Sequence, residues 1–522
     1  MTAEISRNAE FVRRVLGVSD ASRLNGTRVA IVLGDRWSNT RLGQLMFVTT
    51  ANILARLFEY CSSIALIAPQ VSAMVDLPLV IPGGDLAENL AETLHRLARK
   101  DFQGTYSAHP DGGQYDVALI IGNAEVDANT RIHIASDGWH AYAGLEPTLG
   151  NPISTNPLGA LLAAGWGAAL VAGRIFHRVV PDESRFPLPP TGTWFSSFDY
   201  SVGSTISNPV LPELRLGEFP VVGLGALGAA VTYALGVLPQ PKGKPFLIDK
   251  DKLSDTNIER HFTAIWNDAE AKVVKVDHAK TFLNRYAPTL ETTAEPYLFE
   301  EWSQRDFPFE VLLCGTDSPE SRRMLQFQLP RELINAGTGG EGFTVSRHRL
   351  DAGACLACLF PEHKDSTGDI EDVMRQFGVS RDVASDLLEG HRSFDDEIAA
   401  LMREHGKVVF PDVLLVELNS RPFAQVRALA CSQALIRPDL PVPTIGFVSF
   451  IPGVLMVGEL IKCRYFPNAP LTNEGNVMRV PNVFALHEIE LEQTRKTYGC
   501  RCQDPIIQTA YGRRWNLGSS TR

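Results

Sequence analysis

Residues 219–228 read Phe-Pro-Val-Val-Gly-Leu-Gly-Ala-Leu-Gly, and this stretch decides the fold. Its apolar beginning predicts the end of a strand, and the apolar segment 226–235 predicts the helix that follows. Glycines at such a strand-to-helix turn let the backbone approach phosphates, and the N-terminus of the helix favours negative charge. Gly223, Gly225 and Gly228 therefore predict a nucleotide-binding, Rossmann-like unit.

Charged residues after this turn separate two kinds of nucleotide chemistry. Asp249 ends the next predicted strand, where a carboxylate can hydrogen-bond a ribose hydroxyl in dehydrogenases and in ATP-binding enzymes alike. Further polar residues suit a triphosphate with Mg²⁺ and have no role in hydride transfer; they are Asp251, Asn257, Arg260, Lys275 and Asp317. Arg260 and Lys275 can neutralise phosphate charge, and Asp317 can bind Mg²⁺. We therefore favour ATP chemistry over an NAD-dependent oxidoreductase.

The order of these motifs resembles the adenylation domain of the ubiquitin-activating enzyme superfamily, which includes the bacterial ThiF and MoeB adenylyltransferases. The likeness covers residues 217–362 and resumes at 442–502. Its most similar segments are 275–288 (KVDHAKTFLNRYAP), 311–322 (VLLCGTDSPESR) and 355–361 (CLACLFP).

The resemblance implies a role for each polar residue of the motifs. Asp249 would bind the ATP ribose, Asp317 would bind Mg²⁺, and the phosphates would be held by Asn257, Arg260 and Lys275. Two positions depart from the family, because Ala226 stands where many members have glycine and His261 where glutamine is common. Small size and hydrogen-bonding capacity are retained at these positions. Arg322 is expected to support the Asp317 loop through a salt bridge.

Four of the eight cysteines form two close pairs. Cys355-x-x-Cys358 and Cys500-x-Cys502 supply four thiolates, which suit a closed, tetrahedral, structural zinc site. The C-x-C spacing is shorter than the common C-x-x-C spacing, so two unrelated reduced pairs remain the alternative. We interpret the four residues as a zinc clip.

The candidate nucleophile is Cys431. In relatives the reactive cysteine lies in the stretch after the insertion, and a thioester requires a thiolate near the adenylate. The surrounding sequence RALACSQAL also fits a helix in which a buried cysteine is common. Cys61, Cys314 and Cys463 are interpreted as structural.

The N-terminal part predicts a second α/β unit without the nucleotide machinery. Apolar strands at 28–33, 63–68 and 116–121 alternate with helical patterns, and an apolar helix is predicted at 158–175. The first strand is followed by Gly-Asp-Arg-Trp-Ser-Asn instead of a GxGxxG pattern, and the second ends in Ala68-Pro69 without an acid. Larger ubiquitin-activating enzymes pair an inactive half with an active one, and this chain resembles that plan. An inactive half can donate an arginine, for which Arg7, Arg13 and Arg14 are candidates.

The predicted fold class is α/β, with two doubly wound Rossmann-like halves of which the first is degenerate. The predicted segments are an inactive adenylation-like domain (1–180), a linker or crossover (181–216), the first part of the active domain (217–361), a helical insertion with the candidate cysteine (362–440), and the second part of the active domain with a C-terminal extension (441–522).

Composition limits the classes of partner. The net charge of −11 argues against a nucleic-acid binder, whose affinity comes from clustered Lys and Arg. The apolar run 157–171 is short for a membrane span, and the polar N-terminus lacks the apolar core of a secretion signal. We expect a cytoplasmic protein that does not use a membrane.

The predicted reaction is ATP- and Mg²⁺-dependent adenylation of the C-terminal glycine of a ubiquitin-like protein. Thioester formation on the enzyme and transfer to a conjugating enzyme would follow. The alternative is a sulfur-carrier adenylyltransferase of the ThiF or MoeB kind, without the thioester. A non-catalytic assembly protein is disfavoured by the complete set of ATP residues. Two fused halves lessen the need for a homodimer, so the chain is expected to be a monomer or a homodimer. An association with antiviral defence comes with the family and depends on no residue of the chain.

Overall fold

The structure is a computed structural model. It describes residues 6–18, 24, 26–61, 63–98, 102, 104–109, 112–203, 207–302, 308–360, 370–371, 373–374, 377–405, 418–421, 423, 426, 444–469, 471, 476–485, 488–498 and 500–517. The chain forms two compact units. The larger comprises Met1–Asn8, Asp20–Phe360 and Thr444–Arg522, and the smaller comprises Ala9–Ser19 and Pro361–Pro443.

The larger unit contains two sheets with the same topology. Among the described residues the first sheet has the order β3-β2-β1-β4-β5-β6-β7. Neighbouring strands from β3 to β5 in this order pair in parallel, whereas β6 pairs antiparallel with both β5 and β7. Its strands are β1 (Arg28–Leu33), β2 (Ser63–Ile67), β3 (Thr105–Ser107), β4 (Tyr115–Ile121), β5 (Ala128–Asp137), β6 (His140–Gly144) and β7 (Thr193–Ser196). In this sheet the strand order reverses between β1 and β4.

The second sheet repeats this arrangement and adds one strand. Its order among the described residues is β10-β9-β8-β11-β12-β13-β14-β15, with β8 to β12 parallel and the rest antiparallel. Its strands are β8 (Arg215–Val222), β9 (Lys242–Ile248), β10 (Thr293–Glu295), β11 (Val311–Cys314), β12 (Glu332–Gly339), β13 (Gly342–His348), β14 (Val477–Val480) and β15 (Glu490–Glu492). The predicted fold of two doubly wound α/β halves is therefore confirmed.

The described helices follow the chain through both halves and the smaller unit. They are α1 (Arg7–Arg14), α2 (Asp35–Ser38), α3 (Arg41–Ala55), α4 (Leu86–Leu97), α5 (Leu158–His177), α6 (Ala226–Val237), α7 (Asp255–Ile258), α8 (Trp266–Glu270), α9 (Lys275–Tyr286), α10 (Phe299–Trp302), α11 (Pro319–Phe327), α12 (Leu356–Leu359), α13 (Arg381–Leu388), α14 (Asp396–His405), α15 (Gly446–Tyr465) and α16 (Pro505–Arg514). Single 3₁₀ turns lie at Phe58–Tyr60 and Arg501–Gln503.

Two long helices, α5 and α15, form the common core of the halves. Both are long and apolar enough to cross a membrane, yet 94 % of the apolar window of each is buried within the protein. They pack closely, because a Cβ at Gly165 of α5 would lie 2.8 Å from a side-chain carbon of Ile451 in α15. The prediction of a buried helix at 158–175 is thus confirmed, and each half presents its late apolar helix to the other.

The segment 181–216, predicted as a linker or crossover, contains β7 and a polar attachment to α15. The buried Lys462 of α15 donates hydrogen bonds to the carbonyls of Ser197, at 3.0 Å, and Phe198, at 3.1 Å. Tyr200 donates its hydroxyl proton to the fully buried carboxylate of Glu459. These contacts join the connection to the second half.

The smaller unit has a buried apolar cluster of its own. Within the segment 362–440, predicted as a helical insertion, the structure has the helices α13 and α14, and the described residues between 370 and 377 are also helical. The side chains of Phe377, Phe394 and Ile398 are fully buried in this cluster. Cys431 lies outside the described residues.

Candidate functional site

The loop between β8 and α6 is shaped by its glycines. Gly223 has φ +85°, and a Cβ there would lie 2.9 Å from the carbonyl carbon of Gly315. A Cβ at Gly228 would lie 2.2 Å from the carbonyl oxygen of Gly223. At Gly225, in contrast, a Cβ would meet no described atom within 4 Å. The first and third glycines are needed for the packing of the loop itself, whereas the second leaves open space at the start of α6.

The strand ends around this loop lie at one edge of the sheet. Val222, the last residue of β8, is in register with Ile248 of β9 on one side and with Cys314 of β11 on the other. The residues that follow these strands are therefore neighbours at the carboxyl edge, beside the point where the strand order reverses. Ligands of open α/β sheets bind at this place.

Asp249 follows β9 and ties the glycine loop to it. One carboxylate oxygen accepts a hydrogen bond from the backbone N–H of Leu224 at 2.7 Å, and the other accepts one from the N–H of Asp251 at 2.8 Å. Burial raises the pKa of Asp249, and the positive charge of Lys275 opposes that rise. Each carboxylate oxygen has a second lone pair, so the group can still accept a hydroxyl proton.

Lys275 begins α9 and points to the same edge. Its ammonium nitrogen lies 3.1 Å from a carboxylate oxygen of Asp251 and 3.9 Å from one of Asp249. The backbone N–H of Lys275 also donates to the carbonyl of Asp251 at 3.0 Å. The Lys275 side chain is 9 % exposed, and the two acids hold its cation beside the loop.

Asn257 shapes the turn that presents Arg260. Its side-chain oxygen accepts a hydrogen bond from the N–H of Ser254 at 3.0 Å, which completes a capping box on α7. The N–H of Arg260 donates to the carbonyl of Asn257 at 2.9 Å, and the Arg260 side chain is half-buried. Asn257 thus fixes the turn that leads to Arg260.

His261, beside Arg260, is buried and neutral. Its Nδ1 lies 3.3 Å from the hydroxyl of Thr263, which in turn lies 3.1 Å from Nε2 of His278. Within the described part of the chain its Nε2 has no hydrogen-bond partner. Burial, and then the charge of a protonated His278, place the pKa of His261 well below its ordinary value. A neutral imidazole is a reasonable substitute for the glutamine of related sequences, because both are polar and uncharged.

Asp317 lies in the loop after β11 and is exposed. The loop is held by Arg322, whose guanidinium donates two hydrogen bonds to the carbonyl of Thr316, at 2.8 and 3.0 Å, and lies 4.6 Å from the ring centroid of Phe360. Arg322 therefore supports the loop through its backbone, whereas we had predicted a salt bridge. Cys314, predicted as a core thiol, is fully buried at the end of β11.

The corresponding crevice of the first half is filled by an indole. Trp37 is 1 % exposed. A Cβ at Gly122, just after β4, would lie 2.3 Å from a ring carbon of Trp37. A Cβ at Gly150 would lie 2.8 Å from another ring carbon of the same residue. The ring therefore occupies the region between β1 and β4 that corresponds to the candidate site of the second half.

A cavity of about 760 Å³ lies away from the predicted ATP residues. Its lining residues include 39–42, 152–155, 238–241 and 286–289. The last two segments follow the C-termini of α6 and α9, and a helix of the length of α6 spans about 18 Å. The glycine loop opens at the opposite end of α6, so this cavity does not belong to the candidate ATP site.

The four clustered cysteines meet the geometric requirement for tetrahedral zinc. The Sγ atom of Cys355 lies 3.7 Å from those of Cys358 and Cys500, and the Sγ atom of Cys358 lies 3.6 Å from that of Cys502. All four sulfur atoms lie within 4.8 Å of one another. Four ligands at the usual Zn–S distance would be about 3.8 Å apart, whereas disulfide sulfurs are about 2 Å apart.

The cysteine cluster is continuous with an apolar cluster that holds α16. Tyr511 of α16 is buried in it and donates its hydroxyl proton to the carbonyl of Arg331 at 2.6 Å. Trp515, after α16, donates its indole N–H to the carbonyl of Leu329 at 3.0 Å. The cluster thus joins the C-terminal helix to the body of the second half.

Of the three arginines predicted to complete the site, Arg7 is placed beside a contact with the second half. Its neighbour Asn8 donates its backbone N–H to the carboxylate of Glu259 at 2.7 Å, and Glu259 precedes Arg260. Arg13 and Arg14 belong to the smaller unit.

Two family models match the chain. Residues 204–502 match the model of the ThiF family, and residues 28–185 match that of the BilD N-terminal domain. The "Uncharacterized protein y4jF" of Sinorhizobium fredii (strain NBRC 101917 / NGR234) is 25 % identical over 503 residues, which are 93 % of this chain and 91 % of that protein. Crystal structures of E. coli MccB with SeMet MccA and with succinimide are 13 % and 14 % identical, with TM-scores of 0.37 and 0.36; the matches cover 71 % of this chain and 96 % of each of those chains. Because the first of these matches spans more than half of the sequence, the chain belongs to the ThiF family of ATP-dependent adenylyltransferases.

Proposed function

We propose that the protein uses ATP to adenylate the C-terminal glycine of a ubiquitin-like protein. The observation that supports this best is the register of β8, β9 and β11. This register brings the glycine loop, Asp249 and the Asp317 loop to one sheet edge, beside Lys275. Such a set suits a nucleotide with a charged phosphate chain.

In the proposed reaction a carboxylate oxygen of the partner attacks the α-phosphorus of ATP. A P–O bond forms there, the bond from that phosphorus to the bridging oxygen of the β-phosphate breaks, and pyrophosphate leaves with the electron pair. No proton is transferred when the carboxylate is ionised. The products are an acyl adenylate and pyrophosphate.

Each residue of the site has a proposed part in this reaction. Asp249 accepts a ribose hydroxyl, while Arg260 and Lys275 hold phosphate oxygens and stabilise the charge that builds up on the leaving pyrophosphate. Lys275 would exchange its contact with Asp251 for a phosphate, which is the stronger anion. Mg²⁺ held by Asp317 would supply further charge neutralisation at the phosphates.

The adenylation is tested by ATP–pyrophosphate exchange. Wild-type enzyme with small proteins that end in Gly-Gly is expected to exchange label only when the carrier is present, and Asp317→Ala is expected to lose this exchange. Arg323→Ala is the matched control, because Arg323 lies in the following helix and pairs with Glu320 and the carbonyl of Phe360 outside the strand edge. Exchange by wild type without any carrier would contradict the proposal.

A thioester on Cys431, followed by transfer to a conjugating enzyme, is the second part of the proposal. It rests on the resemblance to two-half ubiquitin-activating enzymes. Cys61 is a suitable control thiol, because burial raises its pKa to about 12 and removes it from nucleophilic chemistry at neutral pH. An adduct that hydroxylamine cleaves, and that Cys431→Ala abolishes and Cys61→Ala retains, would support the thioester. Exchange without any such adduct would favour the sulfur-carrier alternative.

We also propose that Cys355, Cys358, Cys500 and Cys502 hold a structural Zn²⁺. A closed set of four thiolates leaves no position for a substrate, so the ion would stabilise the fold. Zinc here would link α12 to the turn that precedes α16.

A further inference from the structure

The segment that carries Arg260 and His261 is held by side chains from the degenerate half. Asn52 of α3 donates a hydrogen bond from its side-chain amide to the carbonyl of Phe262 at 2.9 Å. Arg56, the C-cap residue of α3, donates to the carbonyl of Ala264 at 2.9 Å and to the carbonyl of Ile258. Three carbonyls on the two sides of Arg260 are thus bound by one helix of the other half.

These two side chains also bind each other, and a third residue closes the network. The Nε of Arg56 donates to the side-chain oxygen of Asn52 at 3.0 Å. Asn8 donates its side-chain amide to the carbonyl of Arg56 at 2.7 Å and its backbone N–H to the carboxylate of Glu259 at 2.7 Å. Asn52 and Arg56 are fully buried, and Asn8 is 1 % exposed.

Burial of the Arg56 guanidinium against carbonyls and an amide costs free energy, because the charged group loses its water. Burial is the main reason why the pKa of Arg56 falls to about 9. Apolar residues of similar volume in place of buried charged groups are often neutral or stabilising. A guanidinium does, however, fix the direction of each acceptor, because its donors form a rigid planar fork. The arrangement therefore specifies the conformation of residues 258–264 more than it adds stability.

We propose that Asn52 and Arg56 are positioning residues for Arg260, through which the degenerate half sets the geometry of the ATP site. The inference rests on the proposed function, in which Arg260 holds the phosphates of ATP. Neither residue touches the substrate. Their effect passes through the backbone carbonyls of residues 258, 262 and 264 to the side chain of Arg260.

The same helix provides a matched control for general damage to the contact between the halves. The hydroxyl of Thr49 lies 2.9 Å from that of Tyr233 in α6, and both residues are buried. Thr49→Val therefore removes one buried hydrogen bond between the halves without changing any partner of the 258–264 segment. Asn52→Leu removes two hydrogen bonds, the one to Phe262 and the one from Arg56.

The test measures the dissociation constant of Mg·ATP by titration calorimetry on the full chain. Asn52→Leu is expected to weaken binding about tenfold, which is about 1.4 kcal/mol, and Thr49→Val less than about twofold. Thermal unfolding of each variant measures its loss of stability separately. Arg56→Lys keeps the positive charge and one donor direction. Its dissociation constant for Mg·ATP is expected to lie between those of wild type and Arg56→Met.

A double-mutant cycle separates positioning from stability. In an Arg260→Ala background, Asn52→Leu is expected to add less than about a twofold loss, because the side chain that it positions is gone. The inference would be overturned if Asn52→Leu lowered the affinity for Mg·ATP by the same factor in the Arg260→Ala background as in wild type. It would also be overturned if Thr49→Val lowered this affinity as much as Asn52→Leu. Either result would leave the proposed function intact. A wild type that does not bind ATP would overturn both.

Discussion

Substitution of two glycines in the β8–α6 loop distinguishes their contribution to the stability of the protein from their contribution to ligand binding. Gly225→Ala places a methyl group where no described atom lies within 4 Å. Gly228→Ala places one 2.2 Å from the carbonyl oxygen of Gly223, where ordinary contact begins at 3.4 Å. The two variants carry the same chemical change three residues apart, so each is the control for the other.

The contacts give an expected magnitude for each variant. At Gly228 the backbone must give way by 3.4 − 2.2 = 1.2 Å, which corresponds to the upper end of overpacking, about 3 kcal/mol. The gain in helix propensity returns about 1 kcal/mol, so we expect a net loss near 2 kcal/mol. Gly225 is the N-cap of α6 with φ −70°. Alanine is a poorer N-cap than glycine, and we expect a loss of about 0.5 to 1 kcal/mol.

Ligand binding should show the opposite order. If phosphates occupy the space before α6, the methyl group of Gly225→Ala raises the dissociation constant of Mg·ATP at least about tenfold, or 1.4 kcal/mol. Urea unfolding and titration calorimetry on the same samples measure the two effects separately. Binding by Gly225→Ala within about twofold of wild type would refute the assignment of this loop to the phosphates.

Three further predictions test other parts of the site. Cys502→Ser is expected to lower bound zinc from about one ion per chain and to loosen α16, and zinc content by atomic emission checks this; full zinc in the variant would contradict the clip. Because the pKa of His261 lies well below its ordinary value, the unfolded chain binds a proton before the folded chain as the pH falls below about 6.5. The free energy of unfolding of wild type should then fall by up to about 1.4 kcal/mol per pH unit, and that of His261→Gln should not show this fall. Urea midpoints at two pH values measure the difference; equal falls in both proteins would refute this. Asp317→Asn changes an exposed side chain and should leave the unfolding midpoint unchanged while exchange activity is lost; a large fall in the midpoint would make Asp317 structural.

Local patterns account for what the sequence predicted well. The glycine loop, the acid after β9 and the apolar helix predicted at 158–175 each lie within a short stretch whose periodicity and turn residues are sufficient to place them. The repeat of architecture was visible for the same reason, since each half keeps its own succession of strands and a late apolar helix. Asp249 and Lys275 meet because parallel strands expose their carboxyl ends at one edge, which is a general property of such sheets.

Contacts between distant segments account for what the sequence did not show. Asn52 and Arg56 lie in a helix whose pattern is ordinary, and their partners are more than 200 residues away. The strand β7 was missed because its four residues lie in a segment rich in proline and glycine, and because the sequence does not show their pairing with the distant strand β6. Arg322 looked like half of an ion pair, but the acceptor is a carbonyl, which carries no signature in the sequence.

Two regions of the degenerate half differ in what they do: its strand edge is closed, and its helix α3 contacts the other half. At its strand edge Trp37 closes the crevice that corresponds to the candidate ATP site, and no acid follows β2, where Ala68 and Pro69 stand. Removing the indole would therefore open a cavity without supplying a partner for a ribose. On its other face α3 supplies Asn52 and Arg56 to the active half. Because this crevice is closed, we expect the first half to act through the segment that it holds in the second half, residues 258–264.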